Sequence, residues 1–190
     1  MGSDIYFKEG VLLAESGKAR VYSFRDDLLL EVGDSHTLWA LKSEITDYIE
    51  QLKNYPRGSV LEIGLGLGVA SMYLLSFPYV TDLTTIEKNK DVIGVYNILK
   101  TKDEYFKSPF DYKPHTILEL DGLSYLYATK RKFDFIFLDF YRAIDAETIP
   151  DIADMATAAK RVLKPGGKLM GWFDKYTPNE EAHRFYNLFE

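Results

Sequence analysis

The sequence of 190 residues contains no cysteine, which excludes disulfides, thiolate nucleophiles and cysteine-ligated metals. Its three histidines, His36, His115 and His183, lack the spacing of metal ligands, and we expect no metal site. No apolar run approaches the ~18 residues of a membrane span, and the N-terminus lacks a signal-peptide pattern. Since the absence of cysteine fits a reducing compartment, we expect a cytoplasmic protein with no membrane partner.

Basic residues are also in the minority. Lys and Arg total 23 against 29 Asp and Glu, which gives a net charge of −6 and a pI near 5.2. Binding a phosphate backbone needs a basic face. The basic cluster Lys130-Arg131-Lys132 is typical of a solvated turn between two elements. We therefore expect no nucleic-acid partner.

The composition is typical of one folded domain. Hydrophobic residues make up 46% and charged residues 27% of the chain, and its length is that of a single domain. We predict one domain over 1–190, with an N-terminal β extension at 1–34 and an α/β core at 35–190.

Short β-rich segments separated by turn residues open the chain and predict an N-terminal hairpin or meander. They are Val11–Glu15, Ala19–Phe24 and Leu28–Val32. Ser35 is the expected N-cap of a following helix. The apolar residues of that helix recur at helical spacing: Leu38, Leu41, Ile45, Tyr48, Ile49 and Leu52.

Apolar strands alternate with amphipathic helices in the rest of the chain, which predicts a doubly wound, mostly parallel, Rossmann-like sheet covered on both faces. The predicted strands are Ser59–Ile63, Leu83–Glu87, His115–Leu118, Phe133–Asp139 and Lys168–Phe173. The predicted helices are Gly68–Phe77, Lys90–Lys100, Gly122–Ala128, Ala146–Leu163 and Asn179–Glu190.

Three glycines at alternate positions, Gly64, Gly66 and Gly68, follow the first strand of this pattern. Glycine permits a tight turn and a close approach of the backbone to a ligand. The dinucleotide fingerprint requires glycine where this chain has Val69, so NAD is disfavoured. Glu62 would repel a pyrophosphate but attract the α-ammonium of an amino-acid group. The motif therefore favours S-adenosylmethionine.

Acidic residues end the next three strands. Glu87 is placed to accept both ribose hydroxyls, or is an exposed acid at a strand end. Asp121, before Gly122, either accepts the adenine amino hydrogens or caps the helix, and the two roles are compatible. Asp139 delivers a carboxylate to the crevice outside the strand ends, where open α/β sheets bind ligands.

Two residues after Asp139 are candidates for contact with a methyl acceptor. Tyr141, like Asp139, is placed to take the acceptor's proton or to orient its lone pair. Arg142 is placed to bind a carboxylate or phosphate of the substrate. Ordinary packing of a loop that enters a helix is the alternative for both residues.

With these elements in this order, residues 59–173 resemble class I S-adenosylmethionine-dependent methyltransferases. The resemblance implies methyl transfer from S-adenosylmethionine to a small-molecule acceptor, with S-adenosylhomocysteine as product. It also implies four groups of contacts: Glu62, Gly64, Gly66 and Gly68 with the methionine part, Glu87 with ribose, Asp121 and Gly122 with adenine, and Asp139 with the sulfonium or the acceptor.

The N-terminal part and the stretch Thr84–Tyr96 are similar to spermidine synthases. Those enzymes transfer an aminopropyl group from decarboxylated S-adenosylmethionine to a polyamine. Of the two aspartates in their fourth-strand motif, this chain has Asp139 but carries Arg142 at the second position, and their Tyr-His-Glu stretch is Leu41-Lys42-Ser43 here. A cation at that position predicts a neutral or anionic acceptor. Aminopropyl transfer, or a non-catalytic cofactor-binding subunit, is the alternative.

The methyltransferase-like family usually carries a final antiparallel pair of strands, which this sequence lacks before its last residue, Glu190. We therefore expect a sheet edge that is uncovered, or that another subunit or the N-terminal hairpin covers. Phe185, Tyr186, Leu188 and Phe189 form an apolar C-terminal end. Because such an end favours burial, we expect a homodimer.

Overall fold

The structure is a computed structural model that describes residues 9–33, 38–53, 55–102, 113–173 and 177–190. The N-terminal elements are β1 (Val11–Ser16), β2 (Ala19–Phe24), β3 (Asp27–Val32), β4 (Leu38–Leu41), a 3-10 turn (Lys42–Glu44) and α1 (Ile45–Gln51). The remaining elements are β5 (Gly58–Ile63), α2 (Val69–Ser76), β6 (Val80–Glu87), α3 (Lys90–Lys102), β7 (His115–Glu119), α4 (Gly122–Ala128), β8 (Phe133–Leu138), α5 (Ile149–Lys160), β9 (Leu163–Gly171) and α6 (Asn179–Asn187).

The predicted meander is confirmed, and it has a fourth strand. Strands β1 to β4 form an antiparallel sheet in sequence order, so the sheet extends to Leu41. The helix predicted from Ser35 to Leu52 is therefore wrong over 38–41. That segment pairs with β3, with Ala40 opposite Leu30, because strand pairing satisfies its backbone and overrides the helical spacing. Ser35 lies outside the described residues, and its capping role stays a prediction.

The predicted doubly wound core is confirmed as a parallel sheet with strand order β7-β6-β5-β8-β9. Its centre is apolar because β5 and β8 are covered on both faces. Phe133, Phe135 and Phe137 of β8 are fully buried. The strand order changes direction at β5, with β6 and β7 on one side of it and β8 and β9 on the other. Such a switch point opens a crevice at the carboxyl ends of the strands.

The last strand begins earlier than predicted. Helix α5 ends at Lys160 and β9 already starts at Leu163, whereas the sequence predicted a helix through Leu163 and a turn before Lys168. Leu163 pairs with Phe133 and Lys168 pairs with Phe135, so the strand bulges between them. Gly166 has φ +76° within this bulge. The expected glycine turn is therefore absorbed into the strand as an irregularity.

The antiparallel sheet is fixed to helix α3. The backbone N–H of Lys18 donates to Oδ2 of Asp91 at 2.9 Å, and a Cβ on Gly17 would lie 2.4 Å from the same carboxylate. Strands β1 and β2 pack against α3. This anchoring brings β3 and β4 to the open end of the parallel sheet.

The C-terminal helix α6 covers aromatic residues at the end of β9. Phe185 is 2% exposed and lies in ring contact with Tyr141 and Phe173. Tyr186 stacks on Phe173 but stays 52% exposed. The apolar end is thus buried in part by its own chain, and the homodimer stays a prediction. Within the described ranges, no helix has the length and apolarity needed to cross a membrane.

Candidate functional site

A cavity of 330 Å³ opens at the carboxyl ends of the parallel strands, a size within the range of small-molecule sites. Strands β3 and β4 and helix α1 supply the opposite wall. Eight of the ten predicted site residues line the cavity: Gly64, Gly66, Glu87, Asp121, Gly122, Asp139, Tyr141 and Arg142. The other two, Glu62 and Gly68, are not among its lining residues.

The glycine loop lies against the end of β8. Gly64 has φ +100°, and a Cβ there would lie 2.0 Å from the carbonyl oxygen of Asp139. The backbone N–H of Asp139 donates to the carbonyl of Ile63 at 2.8 Å. Gly66 has φ +50°, and the nearest heavy atom to its Cβ position is the Cβ of Ala40, at 3.5 Å. The backbone is thus exposed to a ligand where β5 ends.

Glu87 supports the same loop while it lines the cavity. Its Oε2 accepts a hydrogen bond from the backbone N–H of Leu65 at 3.1 Å, and its Oε1 accepts one from Asn89 at 2.8 Å. Each carboxylate oxygen has two lone pairs, so both retain the capacity to accept a ribose hydroxyl. The ribose contact stays a prediction.

Asp121 caps helix α4, which is one of the two roles predicted for it. Its Oδ1 accepts the backbone N–H of Ser124 at 2.8 Å, and this hydrogen bond lowers the pKa of Asp121. The residue also lines the cavity, so an adenine contact remains compatible. Gly122 is buried beside it, and a Cβ there would lie 2.7 Å from Cγ2 of Ile63.

Glu62 is fully buried beneath the site. Its Oε2 accepts the hydroxyls of Ser71 at 2.5 Å and Thr85 at 2.6 Å. Thr85 Oγ1 is also 2.9 Å from Nε2 of His115. Among the described residues, Oε1 of Glu62 has no hydrogen-bond partner. Burial raises the pKa of Glu62 to about 8, so this carboxyl is neutral at pH 7. Its predicted contact with the methionine ammonium stays a prediction.

Gly68 faces helix α3. A Cβ at this position would lie 2.2 Å from the Tyr96 ring. Gly68 starts helix α2 with φ +74°, so glycine is required here for packing and for the turn.

Asp139 is held by a tyrosine from the opposite wall. The hydroxyl of Tyr48, on α1, donates to Oδ2 of Asp139 at 2.7 Å. Burial raises the pKa of Asp139 to about 6, and the Tyr48 hydrogen bond opposes that rise. Burial also raises the pKa of Tyr48, so the phenol stays protonated. The result is a carboxylate that titrates near neutrality inside the cavity.

Glu44 is a second cavity carboxylate, and the sequence analysis missed it. Its Oε2 accepts the backbone N–H of Leu41 at 3.1 Å. Burial, with the nearby charge of Asp139, raises the pKa of Glu44 to about 7. The predicted continuous helix from Ser35 placed Glu44 inside that helix, away from any strand end, and hid its relation to the site.

Tyr141 and Arg142 occupy different depths. Tyr141 is 9% exposed, and its hydroxyl donates to the carbonyl of Trp172 at 2.6 Å. Burial raises the pKa of Tyr141, so its phenolic proton is held in a structural contact. Arg142 is exposed, and its guanidinium carbon lies 5.4 Å from the ring centroid of Trp39, on β4. It therefore stands at the rim of the cavity.

Carboxylates dominate the charge of the cavity. Its described lining contains six of them, Glu44, Glu87, Asp121, Asp139, Asp151 and Asp154, and two cations, Lys88 and Arg142. Both cations are exposed, whereas Glu44 and Asp139 are half-buried. In the part of the chain that the structure describes, no three His, Asp or Glu side chains are arranged to hold a metal ion.

The strand order arranges these groups along one edge. Asp121 follows β7, Glu87 ends β6, the glycine loop follows β5, Asp139 follows β8 and Trp172 follows β9. Neighbouring strands are ~4.8 Å apart. Glu87 and Asp121, the residues predicted to contact ribose and adenine, therefore lie on one side of the glycine loop, and Asp139 lies on the other.

Solved structures share this fold, although no family model and no curated protein matches the chain. The spermidine synthase of Thermotoga maritima is 18% identical with a TM-score of 0.67, over 94% of this chain and 62% of that one. A spermidine synthase in complex with the transition-state analogue AdoDATO is also 18% identical, with a TM-score of 0.66 over the same shares. The chain thus spans about three fifths of the length of both enzymes.

A third similar structure is precorrin 8W decarboxylase of Methanobacterium thermoautotrophicum. It is 15% identical with a TM-score of 0.51, and the match covers 77% of this chain and 70% of that one. These likenesses show the fold, a methyltransferase-like Rossmann core. The match to the spermidine synthase of Thermotoga maritima extends beyond this core and covers 94% of the chain.

Proposed function

We propose that this chain transfers a methyl group from S-adenosylmethionine to an amine of a small-molecule acceptor. The observation that carries the proposal is the pair of half-buried carboxylates, Asp139 and Glu44, directly beyond the glycine loop. An amine must lose its proton before its lone pair can attack. Carboxylates whose pKa values lie at about 6 and about 7 are suited to accept such a proton.

The residues fit the methyl donor on the other side of the loop. Asp121 and Glu87 present carboxylate oxygens where adenine and ribose would lie, and the glycine loop leaves its backbone open to the methionine part. S-adenosylmethionine supplies a methyl group already activated on a sulfonium. The protein's own task is to orient the acceptor and to exclude water.

The chain's residues divide that task. Asp139 holds the acceptor nitrogen and receives its proton, and Tyr48 fixes the orientation of the carboxylate through the 2.7 Å hydrogen bond. Glu44 adds a second carboxylate from the opposite wall, which also carries Tyr48. Arg142 over Trp39 closes the rim. Arg142 alone would disfavour an amine acceptor, but the six carboxylates in the same lining attract one.

Aminopropyl transfer from decarboxylated S-adenosylmethionine is the second candidate. Three observations favour it. The likeness to spermidine synthases covers 94% of the chain, and the antiparallel sheet contributes Trp39 and Leu41 to the cavity. The described lining also has no half-buried cation for the carboxylate of S-adenosylmethionine. The decarboxylated donor needs none.

One mass-spectrometric assay tests both candidates. The protein is incubated with either donor and a panel of small amines, and each product is identified by the mass of one added methyl or one added aminopropyl group. Asp139→Asn keeps an acceptor for Tyr48 but cannot take a proton, so we expect its turnover to fall at least 100-fold, in the range of general-base effects. Asp134→Asn, at the other end of β8, is the matched control.

The outcomes separate the alternatives. A methylated amine supports the main proposal, and an aminopropylated one supports the second candidate. Binding of a donor with no product from any amine would instead favour a non-catalytic cofactor-binding subunit. If neither donor binds, both catalytic proposals are wrong.

A further inference from the structure

We infer that the acceptor is a zwitterion, with its amine at Asp139 and Glu44 and an anionic group at its other end in contact with Arg142. The inference rests on the proposed function, because it specifies the acceptor that the same cavity takes. Charged side chains are distributed unevenly along the cavity lining.

The inner end of the acceptor region is acidic. Asp139 and Glu44 line it together with Tyr48, whose hydroxyl is already donated to Asp139 at 2.7 Å. The two cations of the described lining are exposed. Two half-buried carboxylates on opposite walls are stabilised by a cation between them. A protonated amine of the acceptor supplies that cation.

The outer end has the opposite character. Arg142 stands at the rim over the Trp39 ring, and within the described residues its guanidinium N–H groups form no hydrogen bond or ion pair. A guanidinium stacked on an aromatic ring keeps its edge free for a planar anion. Arg142 is thereby placed to bind a carboxylate that enters from the acceptor side.

The distances suit a short chain. Asp139 and Arg142 are joined by three peptide units, so their Cα atoms are at most about 11 Å apart. A second ammonium at the outer end would face the Arg142 guanidinium, and like charges in contact repel. A neutral end would leave Arg142 without a partner, whereas a carboxylate would bind it.

Three probes with the same four-carbon chain test this inference: n-butylamine, putrescine and γ-aminobutyrate. Their affinities for the intact protein are measured by calorimetry. We expect γ-aminobutyrate to bind at least tenfold more tightly than putrescine. Arg142→Asp should reverse that order, because it replaces an attraction for carboxylate with an attraction for ammonium. γ-Aminobutyrate should also bind more tightly than n-butylamine, which lacks the carboxylate.

Arg161→Asp is the matched control, since Arg161 is also exposed and lies 5.0 Å from the ring of Tyr127, away from the cavity lining. It should keep the wild-type order. Tighter binding of putrescine by the wild type, an unchanged order in Arg142→Asp, or no binding of any probe would each overturn the inference. Failure of the proposed function is read separately, from the absence of an alkylated product.

Discussion

The hydroxyl of Tyr48 donates a 2.7 Å hydrogen bond to Asp139 and thereby joins helix α1 to the end of strand β8. Tyr48→Phe removes this donor, which opposes the rise in the pKa of Asp139 caused by burial. We therefore expect the pKa of Asp139 to rise above about 6 in the variant. Because the ionised carboxylate accepts the proton, the acidic limb of the pH–rate profile should move to higher pH.

Donor affinity serves as the internal reference for that experiment. Tyr48 is on the acceptor side, so calorimetry with S-adenosylhomocysteine should give the same affinity for Tyr48→Phe and the wild type. Tyr73→Phe changes another tyrosine, one in edge contact with Phe77, and should leave the pH profile in place. An unshifted acidic limb in Tyr48→Phe would mean that Asp139 is not the group that limits the rate.

Glu87 has a structural and a binding role, and two substitutions separate them. Glu87→Ala removes the acceptor for Leu65 and Asn89 as well as the ribose contact. We expect it to lose about 1.5–3 kcal/mol of donor binding and to lower the melting temperature. An exposed acid at a strand end, the alternative that the sequence left open, would instead change stability little.

Glu87→Gln keeps one carbonyl oxygen for a backbone N–H, so its stability should lie between those of the wild type and Glu87→Ala. Because that backbone N–H occupies one of the two lone pairs of the oxygen, only one ribose hydroxyl can still be accepted, and donor affinity should stay closer to that of Glu87→Ala than to that of the wild type. Wild-type donor affinity in both variants would leave Glu87 with its structural role alone. Calorimetry and thermal unfolding measure the two effects independently.

The parallel sheet was predictable because its signals are local. Strands β5 and β8 are short, mostly apolar runs. Gly64 follows β5, Glu87 ends β6 and Asp139 follows β8, and all three come to the cavity because carboxyl ends of parallel strands share one edge. The positions of these three residues at the ends of predicted strands were therefore enough to predict that they lie close together.

The acceptor wall was not predictable in the same way. The contact between Tyr48 and Asp139 joins residues 91 positions apart, and it depends on β4, whose leucines repeat at a spacing that also fits a helix. Glu44 and Tyr48 were therefore assigned to one continuous helix. Pairing of Ala40 with Leu30 decides the matter, and such tertiary pairing leaves no local trace in the sequence.

Glu62 makes stability depend on pH. Its pKa is raised from 4.5 to about 8 by burial, so the folded state keeps a proton that the unfolded chain releases above its own pKa. The free energy of unfolding should therefore fall with rising pH between these values, by up to about 1.4 kcal/mol per pH unit. Below that window the contribution of Glu62 is fully present.

Glu62→Gln isolates this effect because an amide resembles the protonated carboxyl and still accepts the hydroxyls of Ser71 and Thr85. Glu44 and Asp139 also have raised pKa values. Their contributions to the pH dependence of the free energy of unfolding remain in the variant. Chemical denaturation across the pH range should show a shallower dependence for Glu62→Gln than for the wild type. Parallel curves would show that Glu62 is ionised in the folded protein.

Two glycines of the same loop should respond differently to alanine. At Gly64, with φ +100°, a methyl group would lie 2.0 Å from the carbonyl oxygen of Asp139 and 2.6 Å from its carbonyl carbon. Both groups in this contact belong to the backbone, which cannot move aside as a flexible side chain can. We expect Gly64→Ala to lose about 2–5 kcal/mol of stability, from backbone strain and overpacking together.

At Gly66, with φ +50°, the nearest heavy atom is 3.5 Å away, which is ordinary contact. Gly66→Ala should therefore lose only about 1–2 kcal/mol, the cost of the left-handed conformation. Because Gly66 lines the cavity, its added methyl group should weaken donor binding more than it weakens the fold. Chemical denaturation and calorimetry on both variants test this contrast. Equal losses of stability would contradict the close approach of Gly64 to Asp139, and unchanged donor affinity in Gly66→Ala would place the donor away from this loop.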